Sequence, residues 1–271
     1  MGEGPVTPEG SPGEALRKAV PALETRGLTV RFGGHVAVDA VSCRFTPGTL
    51  TAIVGPNGAG KTTYFNLVSG QLRASAGQVL VDGEDVTGLS PSARTRRGLG
   101  RAFQLTNLFP QLTALENVRL AVQSRADAGW SLFKVWNGRR DLIEKAEDVL
   151  ERVRLSDKRH VAPKALSHGD QRKLEVALLI AMEPKVFMFD EPTAGMSVDE
   201  VPTVLELIHD IKRRGDATVL LVEHKMDVVR SLADRIVVLH NGTLVADGEP
   251  AEVIASPVVQ EAYLGLEAAR A

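Results

Sequence analysis

Residues 55–62 read Gly-Pro-Asn-Gly-Ala-Gly-Lys-Thr and fit the spacing G-x-x-x-x-G-K-[ST]. The apolar run LTAIV precedes them and the helix-spaced stretch YFNLVSGQL follows, so the motif stands where a strand must turn sharply into a helix. Glycines there let backbone N–H groups turn inward around phosphate oxygens, and the helix start adds the positive end of its dipole. Gly55, Pro56, Asn57, Gly58, Ala59, Gly60, Lys61, Thr62 and Thr63 are the candidate cradle. Lys61 supplies a point charge to the outer phosphates of a nucleoside triphosphate, and the Thr62 hydroxyl is a candidate ligand of Mg²⁺.

A second acidic element supports the first. In VFMFDE, Asp190 and Glu191 end an uninterrupted apolar run, and ligands of open α/β sheets bind at the carboxyl ends of strands. Asp190 is a candidate to orient Mg²⁺, and Glu191 is the candidate general base for an attacking water. An isolated acid pair ending a strand is commonly only a solvated edge, but its order after a phosphate loop favours chemistry.

These residues need elements to position them. LTAIV (50–54), VFMFD (186–190) and TVLLV (218–222) lack alternation, as expected of strands covered on both faces, and helical stretches separate them. The fold class expected is therefore α/β, a parallel-sheet P-loop core. LTVRF, HVAVDAVSCRF, the hairpin GQVLVDGEDV around Asp82-Gly83 and the hairpin RIVVLHNGTLVADGE around Asn241-Gly242 predict a flanking antiparallel sheet. From about 105 to 180 the chain turns helical. In RDLIEKAEDVLERVRL, Leu142, Ile143, Ala146, Val149, Leu150 and Val153 share one helical face, predicting a helical subdomain inserted in the core. Residues 1–20, rich in Gly and Pro and without an apolar h-region, read as a mobile tail, and 21–271 as one domain.

Composition narrows the classes. At 271 residues, a prior of roughly 150 residues per domain allows one large domain or two modest ones. Thirty-two Lys and Arg against 34 Asp and Glu leave a net charge of −2, which disfavours bulk nucleic-acid binding. One cysteine, Cys43, cannot close an intramolecular disulfide and reads as a small buried hydrophobe, and the six histidines lack metal-ligand spacing. No apolar run approaches the roughly 18 residues that cross a bilayer.

With these motifs in order, the stretch from about Leu23 to Gly265 resembles the nucleotide-binding subunits of ATP-binding-cassette transporters. The resemblance implies ATP and Mg²⁺ as cofactors and ATP hydrolysis as the activity. It implies further roles: Gln104, in GRAFQ, touches Mg²⁺ or the attacking water and links core to helical insert. His224, after TVLLVE, contacts the γ-phosphate. Phe32 either stacks on adenine or packs inward as a strand residue. LSHGD at 166–170 resembles the signature LSGGQ, where Ser167 and Gly169 approach the nucleotide of an opposite subunit. Ser167 with Asp170 also has capping-box spacing, and Asp170 is expected to cap. Three residues depart from the family pattern: His168, Asp170 and Ser197.

The blocks GLGRAFQLTNLFPQLTALENV, DEPTAGMS and PVVQEAYLG resemble the ATPase subunits of branched-chain amino acid importers. Urea importers and lipopolysaccharide-export ATPases share overlapping motifs. The partners implied are membrane permeases, a second ATPase subunit (a like copy or a related chain) and, indirectly, an external solute-binding protein, with the chain peripheral on the cytoplasmic face of the membrane and no nucleic acid bound. A soluble cassette ATPase acting on nucleic acid or ribosomes, and a degenerate cassette that binds ATP without hydrolysis, remain the alternatives.

Overall fold

The computed structural model describes residues 20–102, 108–125 and 140–261. The uninterrupted apolar runs are central strands. β3 (Leu50–Val54), β7 (Val186–Asp190) and β8 (Thr218–Val222) are buried at every position. They belong to a six-stranded sheet with β6 (Leu99–Ala102), β9 (Arg235–His240) and β10 (Thr243–Gly248), in the order β10-β9-β3-β8-β7-β6. All neighbours are parallel except β9 and β10. Alternate β8 side chains enter different cores, Val219 and Leu221 on one face and Leu220 and Val222 on the other. With no solvent face there is nothing for a polar residue to line, and so no alternation.

The second sheet is antiparallel, β2-β1-β4-β5, built from β1 (Leu23–Phe32), β2 (His35–Phe45), β4 (Ala76–Val81) and β5 (Glu84–Asp85). Its inner residues, among them Leu28, Val38, Val41, Phe45 and Val79, close over Tyr64 and Phe65 of helix α1 (Lys61–Ser69). Cys43 is buried there, as expected. The hairpin at Asn241-Gly242 forms with φ of 48° and 78°, both positive as a type I′ turn needs. It does not join the antiparallel sheet, as the hairpin reading had it. β9 lies parallel to β3, and β10 forms the edge of the large sheet. Strand β6 was not foreseen.

Helix α2 (Pro91–Arg96) precedes β6. The other face of the large sheet is covered by α3 (Ala114–Arg125), α4 (Arg140–Arg152), α5 (His168–Met182) and α6 (Val201–Arg213). The face foreseen on α4 is the buried one at Leu142, Ala146, Val149 and Leu150, continuing to Val153, while Ile143 is half-buried. These helices share one apolar cluster with Phe187, Phe189, Val219 and Leu221 of the sheet. Helices α7 (Met226–Leu232) and α8 (Pro250–Ala255) pack near the β9–β10 end through Val229 and Val253. Among the described residues no helix is long and apolar enough to cross a membrane. The tail expected over 1–20 falls, apart from Val20, outside the described residues.

Candidate functional site

The phosphate loop leaves β3 at Val54 and enters α1 at Lys61. Its first residue must be glycine: at Gly55, with φ of 151°, a Cβ would lie 2.1 Å from the Leu239 carbonyl oxygen of β9. The turn between β9 and β10 braces the loop from behind, where Gly242 N–H donates to Ala59 O at 3.0 Å. Helix α1 has no side-chain cap, and its first internal bond runs from Tyr64 N–H to Gly60 O at 2.8 Å. The N–H groups of Lys61, Thr62 and Thr63 therefore stand as the orphan donors of a helix start, the arrangement that receives an anion. Lys61 is buried, and its Nζ donates to the carbonyls of Gly55 and Pro56 at 2.7 and 2.9 Å. Burial draws the Lys61 ammonium below its usual pKa, against the pull of Glu191 and Asp190.

A cleft of 310 Å³ opens over this loop, lined by His35, Ala37, residues 57–63, Glu191 and His224. Register explains the meeting. Ile53 of β3 pairs with Val222 of β8, and Val222 pairs with Asp190 of β7, so three chain exits lie in one row. His224 Nε2 and Glu191 Oε1 are 2.6 Å apart. Glu191 takes φ of 51°, an uncommon backbone for a residue other than glycine, and is held there by its N–H to Val222 O at 2.9 Å. Such conformations gather at functional sites.

Asp190 sits one residue deeper. Its Oδ2 accepts from Arg101 of β6 at 2.8 Å, with the two side chains only 4% and 7% exposed. Burial raises the Asp190 carboxyl above its usual range, and Arg101 opposes that rise. Arg101 also donates to Asn66 Oδ1 at 2.7 Å and Ser69 Oγ at 2.9 Å, tying β6 to α1. Among the described residues no cluster of three or more His, Cys, Asp or Glu could cage a metal. The Thr62 hydroxyl and the Asp190 carboxylate are hard oxygen donors, a set that suits Mg²⁺ shared with phosphate oxygens better than a transition metal.

Phe32, at the β1–β2 turn opposite His35 of the cleft, is 51% exposed and does not pack inward. Ser167 caps α5, its Oγ accepting from Asp170 N–H at 3.2 Å. The reciprocal half of the capping box is missing. The Asp170 carboxylate turns to Lys158 and to Lys173, the latter at 3.0 Å, and these ion pairs hold its pKa below the ordinary value although burial opposes them. The Asp170 carboxylate is thus paired with two lysines and does not close the helix cap. Ser167 and Gly169 do not line the cleft that Lys61 lines. Ser197, where the pattern has an acid, bonds to Glu200 Oε2 through its N–H and hydroxyl. Gln104 lies outside the described residues.

Arg101, Thr193 and Glu223 escaped the sequence reading. Thr193 and Glu223 are buried and joined by a 2.6 Å hydrogen bond. Each stands beside a motif, and a single sequence offers no periodic or spacing signal for any of them.

A family profile described as "ABC transporter" matches residues 38–194, and one described as "Branched-chain amino acid ATP-binding cassette transporter" matches residues 243–269. The chain is 38% identical to the high-affinity branched-chain amino acid transport ATP-binding protein BraF of Pseudomonas aeruginosa over 250 residues, 90% of this chain and 98% of that protein. It is 36% identical to LivG of Escherichia coli, which carries the same description, with the same coverage. A crystal structure of the ADP conformation of MJ1267, an ATP-binding cassette of an ABC transporter, superposes with a TM-score of 0.77 at 30% identity, over 90% of this chain and 98% of that one. The chain belongs to the ABC transporter family, as an ATP-binding cassette of the group that includes the branched-chain amino acid transport ATPases.

Proposed function

We propose that this chain is the ATP-hydrolysing subunit of a branched-chain amino acid importer. The observation that carries the reading is the convergence, in one cleft, of an uncapped helix start behind a glycine loop with a Glu–His pair 2.6 Å apart. The descriptions of BraF and LivG support the class of cargo.

In this reading the N–H groups of residues 57–63 and the Lys61 ammonium bind the phosphates, and Phe32 stacks on adenine. Thr62, Asp190 and Gln104 would hold Mg²⁺, which would neutralise charge on the phosphates when bound. Glu191 accepts a proton from the attacking water. His224, held against Glu191, keeps that carboxylate oriented and faces the terminal phosphate. Ser167 and Gly169, outside their own chain's cleft, serve the nucleotide of a second copy or related chain, so that two cassettes enclose ATP head to tail. The helical segment at about 105–180 and Gln104 pass closure to membrane permeases, with the chain peripheral on the cytoplasmic side and a solute-binding protein outside.

Glu191→Gln tests this directly. ATP binding should persist and a nucleotide-bound dimer accumulate, with turnover falling by about 10²–10⁴-fold, the range for losing a general base. Unchanged turnover removes Glu191 from the role.

A further inference from the structure

Glu223 leaves β8 immediately before His224, and its side chain is buried, the residue being 3% exposed. A carboxylate placed there needs partners, and its partners are neutral. Oε1 accepts from the Thr193 hydroxyl at 2.6 Å, and Oε2 accepts from the backbone N–H of His224 at 2.9 Å and, more weakly, of Lys225 at 3.4 Å. Among the described residues no Lys, Arg or His forms an ion pair with it. Thr193 is equally buried and lies two residues beyond Glu191, in the turn closed by Ala194 N–H to Glu191 O at 3.0 Å. One carboxylate thus bridges the loop that carries Glu191 and the loop that carries His224, the two residues whose side chains meet at 2.6 Å.

We propose that Glu223 is a positioning residue for hydrolysis: with Thr193 it locks the two loops in register so that His224 and Glu191 stay in contact. The inference rests on the reading of Glu191 and His224 given above. A neutral hydrophobe would fill the same space, but it would leave the His224 N–H and the Thr193 hydroxyl unpaired in a buried site. An ion pair would tie Glu223 to a long flexible side chain. Short bonds to a backbone N–H and a β-branched hydroxyl fix position more tightly, because both donors have little rotational freedom of their own.

The test uses the full chain with Mg-ATP at concentrations that allow self-association. Glu223→Gln keeps the shape and one acceptor oxygen but puts an NH₂ group where the other oxygen served. It should lower kcat by about tenfold, a modest positioning loss, with KM for ATP within about twofold because the phosphate loop is untouched. Thr193→Val, which leaves the carboxylate in place, should lower kcat in the same sense and should not add to E223Q. It carries the test if E223Q folds poorly. In a His224→Ala background, E223Q should have no further effect on residual single-turnover hydrolysis. If E223Q and T193V both turn over at the parent rate, or if E223Q lowers the H224A rate by its full factor, the positioning role is overturned while Glu191 and His224 keep theirs. If H224A itself turns over normally, the histidine's role falls, and the inference with it.

Discussion

Replacing Arg101 with Met tests how the cleft carries its buried charge. Arg101 NH2 donates to Asp190 at 2.8 Å, NH1 reaches Asn66 and Ser69, and the guanidinium carbon lies 5.6 Å from the Phe65 ring centroid. With both charged side chains almost wholly inaccessible, the pair belongs to the buried class, where removing one partner costs about 3–5 kcal/mol because the other charge is stranded. Against a typical total of about 5–15 kcal/mol, that is a large share of the stability. Arg101→Lys should fall between, losing about 1–2 kcal/mol, because one ammonium can serve Asp190 but lacks the planar fork that reaches Asn66 and Ser69 at the same time. The assay is equilibrium urea unfolding of the nucleotide-free chain, run as a double-mutant cycle with Asp190→Asn. Once Asp190 carries no charge, R101M strands nothing, so the two substitutions should couple by at least about 2 kcal/mol. If R101M unfolds within about 0.5 kcal/mol of the parent, or costs the same beside D190N, the ion pair does not hold the site together.

Phe32→Ala should leave stability within about 0.5 kcal/mol, since half the residue is already solvated, yet weaken adenine nucleotide binding by about five- to tenfold, the lower end of base–aromatic stacking. An unchanged Kd in a fluorescent-nucleotide titration would remove Phe32 from the adenine site. Asp170 carries a pH signature. Its folded carboxyl lies below the ordinary 3.8 because Lys158, Lys173 and Ser167 together outweigh the opposing effect of burial, so its stabilising contribution is complete above that value and is lost as pH falls through the lower folded one. Asp170→Asn should therefore lower Tm at neutral pH by an amount that shrinks below about pH 4, and a gap constant with pH would contradict the ion-pair account.

What the sequence made legible follows from which constraints act on single residues. The phosphate loop was readable because a backbone that must pass 2.1 Å from where a Cβ would sit admits only glycine, and that requirement is written at one position. The β9–β10 turn was readable for the same reason, as Asn241-Gly242 takes two positive φ values. The partner of β9 was not readable, since a hairpin signal describes one edge of a strand and is silent about the other. Strand β6 escaped because LGRA is four residues long, holds a glycine and an arginine, and exists as a strand only because β7 pairs with it. Arg101 was missed with it. A lone charge reads as a surface residue until the carboxylate 89 positions away that neutralises it is in view. The Asp170 cap was half right for a related reason: capping spacing is local, whereas the lysine that competes for its carboxylate, Lys158, comes from the preceding 3₁₀ turn at Ser156–Lys158.

The row formed by Ile53, Val222 and Asp190 also explains why the strained Glu191 persists. Holding a non-glycine residue in a sparsely populated backbone region costs about 1–3 kcal/mol, and such a residue relaxes unless its surroundings over-determine it. Here the Glu191 N–H extends the β7–β8 ladder by one bond to Val222 O, its carbonyl closes the turn to Ala194, and its side chain meets His224. Each anchor comes from β8, from the loop after β8 or from the turn after β7. The strain is therefore carried by the sheet, not by the cleft's contents, and the carboxylate can stand over the phosphate loop before any substrate arrives. If Glu191 is the base proposed above, preorganisation of this kind places the cost of orienting its carboxylate in folding, where the β7–β8 ladder and the turn after β7 meet it.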